Sequence, residues 1–176
     1  MRRLLRIVLV LVALLVGVGV VLWTIGGRTR TTMARISIKA LPKVVFSHLT
    51  DEALLLKWMD GVTEITPLTE DGHRVGARSK VVVEKDGRRM EMEIKVARSE
   101  PDKLLEIHVT SPMFVVSNTY KLTVEDGATK LTQFMAADYK NVARLFAPIA
   151  GSAVQDKLDG DFERLKQLIE TGKVGR

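Results

Sequence analysis

The side chains best suited to chemistry are few, and they fall in strand-like segments. Val116, Asn118, Tyr120 and Leu122 share one parity of an alternating stretch, and Leu131, Gln133 and Met135 share one parity of the next. Alternation places every second residue on the same face of a strand. Two amides and a phenol are therefore expected on an otherwise apolar face. There, Asn118, Tyr120 and Gln133 can orient a carbonyl or hydroxyl of a bound molecule, as the few convergent polar groups of an apolar pocket do. They can equally satisfy one another or backbone groups, as buried polar atoms must. No inward carboxylate or histidine accompanies them in the pattern, so general acid–base chemistry has no evident agent and no catalytic residue is expected.

Metal and cofactor chemistry find no support in the spacing. His48, His73 and His108 fall in an early helix, a turn and the polar face of a strand, and the chain has no cysteine. No His-x-His, His-Glu-x-x-His or Cys cluster exists, so no metal site is expected. Gly17-Val18-Gly19 lies inside an apolar run instead of following a strand, and Ser152 lacks a Gly-x-Ser-x-Gly setting, which leaves neither a phosphate loop nor a nucleophile elbow. No cofactor is expected.

The elements that must position these residues are readable in outline. Ala34, Ile36, Ile38 and Ala40 alternate with Arg35, Ser37 and Lys39 and predict a first strand. Pro42 opens a short helix bearing Val45, Phe46 and Leu49, and Asp51 caps a second bearing Leu54, Leu55 and Trp58. From Val62 the chain reads as antiparallel strands broken by Glu70-Asp71-Gly72, Lys85-Asp86-Gly87, Glu100-Pro101-Asp102 and Glu125-Asp126-Gly127, residue types that supply tight turns. Met90, Met92, Ile94 and Val96 form the apolar side of one strand, and Leu105, Ile107 and Val109 that of the next. Further strands are expected over about 114–124 and 129–137. Val154, Leu158, Phe162, Leu165 and Ile169 then repeat at helical spacing, with Lys157, Arg164, Lys166 and Glu170 opposite. The apolar face of the sheet is the surface that this stripe must cover.

Ahead of that domain, nineteen residues from Ile7 to Ile25 carry no charge. As a helix the run is roughly 28 Å long, matching the ~30 Å hydrocarbon layer of a bilayer. It ends without an Ala-x-Ala cleavage pattern, and Trp23 suits a membrane interface. A retained anchor over residues 1–27 is expected, then a short polar tether over 28–33 and one domain over 34–172. Arg2, Arg3 and Arg6 are denser and nearer the run than Arg28, Arg30 and Arg35, which favours a cytoplasmic N-terminus and an extracytoplasmic domain. Of 27 basic residues only three precede the run, so the rest of the chain sets 24 against 21 acidic ones. Those charges are interleaved, as in Lys85-Asp86-Gly87-Arg88-Arg89, a pattern of solvated faces and not of a nucleic-acid stripe.

The domain resembles the START-like helix-grip superfamily, the SRPBCC group of polyketide cyclase/dehydrase-like proteins. The likeness is carried by Ile36-Ser37-Ile38-Lys39-Ala40-Leu41-Pro42-Lys43-Val44-Val45-Phe46, similar to the family's opening strand and A-P-x-x-V-F helix start, with Leu41 where the family often has proline. It continues in Trp58-Met59-Asp60-Gly61-Val62, in Arg74-Val75-Gly76-Ala77-Arg78, and in Glu125-Asp126-Gly127-Ala128-Thr129-Lys130-Leu131-Thr132, similar to a G-x-T-x-L-T hairpin. The resemblance implies an α+β helix-grip fold: a curved antiparallel sheet around a long C-terminal helix, with two short helices after the first strand. It also implies a cavity between sheet and helix for lipids, quinones or other hydrophobic molecules.

On that reading the cavity lining comprises Trp58, Met90, Met92, Ile94, Ile107, Asn118, Tyr120, Gln133 and Met135. Methionines make such a lining adaptable, and ordinary core packing would use them too. Phe146 and Ile149, in the apolar segment Val142–Ala150, are placed at the cavity mouth as a lid or interfacial segment, with Pro148 breaking or restarting the helix. The functions in view are a membrane-tethered carrier of a hydrophobic molecule, a cyclase or dehydratase acting through Asn118, Tyr120 or Gln133, and an accessory subunit of a membrane protein complex.

Overall fold

The computed structural model describes residues 2–70 and 74–173. His73 and the Asp71-Gly72 turn lie outside them. The chain runs α1 (Arg2–Gly26), β1 (Arg30–Ile38), α2 (Pro42–Thr50), α3 (Glu52–Trp58), β2 (Val62–Pro67), β3 (Arg78–Lys85), β4 (Arg88–Glu100), β5 (Leu104–Thr110), β6 (Phe114–Glu125), β7 (Ala128–Tyr139), a 3-10 turn (Asn141–Leu145) and α4 (Gly151–Thr171). The strands form one sheet in the order β1-β7-β6-β5-β4-β3-β2, with every neighbouring pair antiparallel.

Local chemistry accounts for the joints. Asp86-Gly87 and Asp126-Gly127 both take positive φ at each residue, the requirement of a two-residue turn whose twist matches the strands it joins. They pin the pairs Lys85↔Arg88 and Glu125↔Ala128, and through them the register of two hairpins. Asp51 caps α3 by accepting from the Leu54 N–H at 3.0 Å, and Pro42 stands at the start of α2. A shift of register between Val96 and Arg98 breaks the β4–β5 ladder, a device that bends a strand.

One expected boundary moves, and one expected break is found. The first strand starts at Arg30 instead of Ala34, so residues 30–33 of the segment read as a tether are paired with Phe134–Ala137. Their residue types show no apolar–polar alternation, yet paired with β7 they alternate in burial, because the partner strand overrides the local pattern. The long helix begins at Gly151, leaving Pro148 in the turn before it.

The core has a closed part and an open part. Phe162 and Leu165 of α4 are fully buried with Ile38, Val45 and Leu131, in a cluster that also holds Leu49, Trp58, Leu105, Tyr120 and Leu122. A second cluster gathers Val109, Val116 and Ala137 with Met92, Ile94, Met135 and Tyr139 on β4 to β7. α1 lies apart from both: it is long and apolar enough to cross a membrane, its apolar window is wholly unburied, and only its last residue, Gly26, is buried against the domain.

Candidate functional site

A cavity of about 440 Å3 lies where the two clusters meet, lined by Trp58, Leu105 and Tyr120 of the first and by Met92, Val109, Val116 and Ala137 of the second. The concave faces of β3 to β7 provide most of its wall, α3 closes one side, and Ala150, Ala153, Val154, Leu158 and Asp161 form the roof. Small side chains at the start of α4 leave the space. Where Phe162 and Leu165 fill the gap between helix and sheet, Ala150 and Ala153 do not reach it. Ala153 lines the cavity and is also exposed, so the cavity opens beside the first turn of α4.

Seven of the side chains singled out in the sequence stand on this wall: Trp58, Met92, Ile94, Ile107, Asn118, Tyr120 and Met135. Four do not. Met90 faces Val83 near the Asp86-Gly87 turn, half-buried at the end of the sheet. Gln133 is buried one strand nearer the edge, paired with Ala34 and Tyr120, and touches the site only through Asn118. Phe146 and Ile149 precede the helix and point outward, 60% and 73% exposed.

The polar groups have distinct roles. Gln133 Nε2 donates to Asn118 Oδ1 at 2.9 Å, so the two amides satisfy each other in part, with Asn118 on the cavity wall and Gln133 behind it. The Tyr120 hydroxyl has no hydrogen-bond partner among the described residues. Burial pushes its pKa far up, with the Asp161 charge adding to the effect, so the phenol stays neutral and can donate to or accept from a bound molecule.

Asp161 corrects the expectation that no carboxylate faces inward. It is 4% exposed and lies on the cavity wall. Lys157 Nζ donates to its Oδ2 at 2.6 Å, the Asp60 N–H donates to Oδ1 at 3.0 Å, and Arg164 Nη2 donates to Oδ1 as well. Lys157 and Arg164 also reach the carbonyls of Asp60 and Trp58. They are therefore not on a purely solvated face, as the helical wheel suggested. The group ties α4 to the end of α3, and Lys85 donating to Asp60 at 2.7 Å extends it to β3 while holding the Asp60 carboxyl below its usual range. A carboxylate held by three donors is poorly placed to take a proton from a substrate. The signal for this group was present as the spacing Lys157, Asp161, Arg164, adjacent to the apolar stripe.

A curved sheet gripping one long helix around an apolar cavity defines the helix-grip α+β fold, an architecture suited to a hydrophobic ligand-binding or cyclase-like domain. Residues 29–170 match the family described as polyketide cyclase / dehydrase and lipid transport, and the chain belongs to that family. Among solved structures it is similar to Ara h 8.0201 (18% identity, covering 81% of this chain and 98% of that one, TM-score 0.65). It is also similar to TTHA0849 from Thermus thermophilus (14%, 82% and 99%, TM-score 0.69) and to a protein from Rhodobacter sphaeroides (21%, 83% and 100%, TM-score 0.64). At these identities the likeness establishes the fold alone. No protein with a curated description matches the sequence.

Proposed function

We propose that this protein is a membrane-tethered binding or transfer domain for a hydrophobic or amphipathic small molecule, held between the sheet and α4. The observation that carries the reading is the open cavity of about 440 Å3, within the size of small-molecule sites, whose mostly apolar wall carries the neutral Tyr120 phenol and the Asn118 amide, and also Glu52 and the paired Lys157 and Asp161. Such a wall selects a molecule that is mostly apolar and has one or two hydrogen-bonding groups. Trp58, Met92, Ile94, Ile107, Asn118, Tyr120 and Met135 are the contact residues. α1 serves as the anchor, with the N-terminus cytoplasmic and residues 34–172 acting as the extracytoplasmic domain, a topology that rests on the density of Arg2, Arg3 and Arg6.

The test is native mass spectrometry of the full-length protein released in mild detergent, with lipid identification of the adduct. One defined apolar molecule per chain, absent from the Met92→Trp and Tyr120→Trp variants, is the expected result. A wild-type chain with no adduct, or an adduct that survives both substitutions, overturns the proposal.

A further inference from the structure

Exposed apolar side chains occur at several points of the domain, among them Leu41, Val75 and Val124, but three of them fall close together between β7 and α4. Val142, Phe146 and Ile149 are 59%, 60% and 73% exposed, and they lie within eight residues of chain that already turns sharply as a 3-10 helix. Scattered exposed apolar residues need no explanation, but a run of them on one short projecting turn does.

The position of this turn relative to α1 supplies the explanation. The last residue of α1, Gly26, packs against the turn so closely that a Cβ on it would lie 1.8 Å from the Arg144 carbonyl oxygen. The Arg144 guanidinium lies 5.4 Å from the centroid of the Trp23 ring, and its Nε donates to the Tyr139 carbonyl at 3.2 Å. Arg30 donates to the Ile25 carbonyl at 3.4 Å. The end of the apolar helix is thus fixed against the same turn that bears Val142, Phe146 and Ile149. Tryptophan with arginine beside it is the composition of a bilayer interface, where the ring sits at headgroup depth and the cation meets lipid phosphate. A helix end held at that depth brings the neighbouring turn down with it.

The cavity reaches the same place. Tyr139 lies on its wall just before the turn and Ala150 just after it, and the opening beside Ala153 is one turn of helix further on. We infer that residues 142–149 insert into the lipid surface and seat the mouth of the cavity on it, so that an apolar molecule passes between leaflet and cavity without crossing water. This rests on the reading of α1 as an anchor and deepens the carrier proposal by stating where cargo enters. The occupant of the apolar turn is the lipid surface itself, continuous with the helix that spans it.

The natural chain lacks cysteine, so single cysteines carrying an environment-sensitive fluorophore can be placed at Phe146→Cys, Ile149→Cys, Val124→Cys and Leu15→Cys in the full-length protein, at one chain per phospholipid nanodisc. Val124 is exposed near the distant Asp126-Gly127 turn and Leu15 is in mid-α1. Emission from positions 146 and 149 should be blue-shifted and quenched by lipids spin-labelled near the headgroup. Position 15 should be quenched by lipids labelled deep in the chain, and position 124 by neither. Water-like emission at 146 and 149 with position 15 quenched overturns the inference and leaves the anchor standing. Failure of position 15 as well removes the anchor and the inference together. A blue shift that appears only with several chains per nanodisc assigns the turn to a second copy of the chain and also overturns it. Cargo binding, read by mass in the experiment above, is unaffected by any of these outcomes, so the binding part of the proposed function stands or falls separately, and only failure at position 15 removes its membrane tether.

Discussion

The two halves of α4 lie over the same sheet and do opposite things to it. From Asp161 onward the helix offers Phe162 and Leu165, both fully buried, and the space between helix and sheet is filled. Before it, the helix offers Ala153 and Val154, and the space stays open as a cavity. Side-chain volume along one stripe decides which part of the core is structural and which is left for a guest, because protein interiors close to high density wherever the side chains allow it. Asp161 stands at the border. Lys157, Arg164 and the Asp60 N–H hold it, and through Asp60 it ties α4 to the end of α3 beside the cavity.

The contrast can be broken most strongly from the closed side. Phe162→Ala should destabilise the domain by about 3–5 kcal/mol, the usual cost of emptying a buried aromatic site, measured as the midpoint of chemical denaturation. Met92→Trp, which adds bulk where there is already space, should cost less than about 1.5 kcal/mol and abolish ligand occupancy. Equal losses of stability would mean that the two halves are packed alike.

Next in size is the border. Asp161→Asn removes the charge that Lys157 and Arg164 face. Breaking a buried pair is severe, but both bases are partly exposed, with side chains 38% and 31% accessible. A loss of about 1–3 kcal/mol is expected, together with weaker ligand binding as α4 loosens from α3.

The smallest effect belongs to Tyr120. Tyr120→Phe should leave the fold intact and lower ligand affinity by about fivefold, the worth of one hydrogen bond of roughly 1 kcal/mol. Its pH dependence has a definite sign. Burial raises the folded-state pKa, so above the ordinary tyrosine range the unfolded chain loses this proton while the folded chain keeps it. Stability is therefore lost as pH rises, and the protein unfolds in alkali in part to release that proton. The Phe variant should be less sensitive to alkali than the parent, as read by circular dichroism across a pH series.

The sheet was readable because its signals are local. Asp86-Gly87 and Asp126-Gly127 set two hairpins, and Met92, Ile94 and Ile107 declared their face by parity. The anchor-like helix was readable for the same reason, from composition alone. What the sequence concealed depends on partners distant in the chain. Parity assigned Met90 and Gln133 to the concave face without showing how far along it the cavity extends. Phe146 and Ile149 are apolar in sequence, and only the position of the turn against Gly26 shows that they point outward. Asp161 carried a helical spacing with Lys157 and Arg164 that reads as a solvated edge until Asp60 and Trp58 are brought beside it. The open half of the core was legible only as an abundance of small residues at 150–153, a composition that does not distinguish a cavity from a close helix approach.

The most direct test of the comparison uses the methionines as reporters. Methyl spectra of the full-length protein, labelled at methionine and recorded before and after exposure of delipidated chain to phospholipid vesicles, read both sides of the sheet together. Met92 and Met59 lie on the cavity wall, whereas Met33 and Met90 lie off it. Shifts at Met92, Met59 and their neighbour Met135 are predicted, with Met33 and Met90 unmoved. Unchanged resonances at Met92 and Met59, or changes centred on Met33, would contradict the claim that the open half of the core is where this protein holds its ligand.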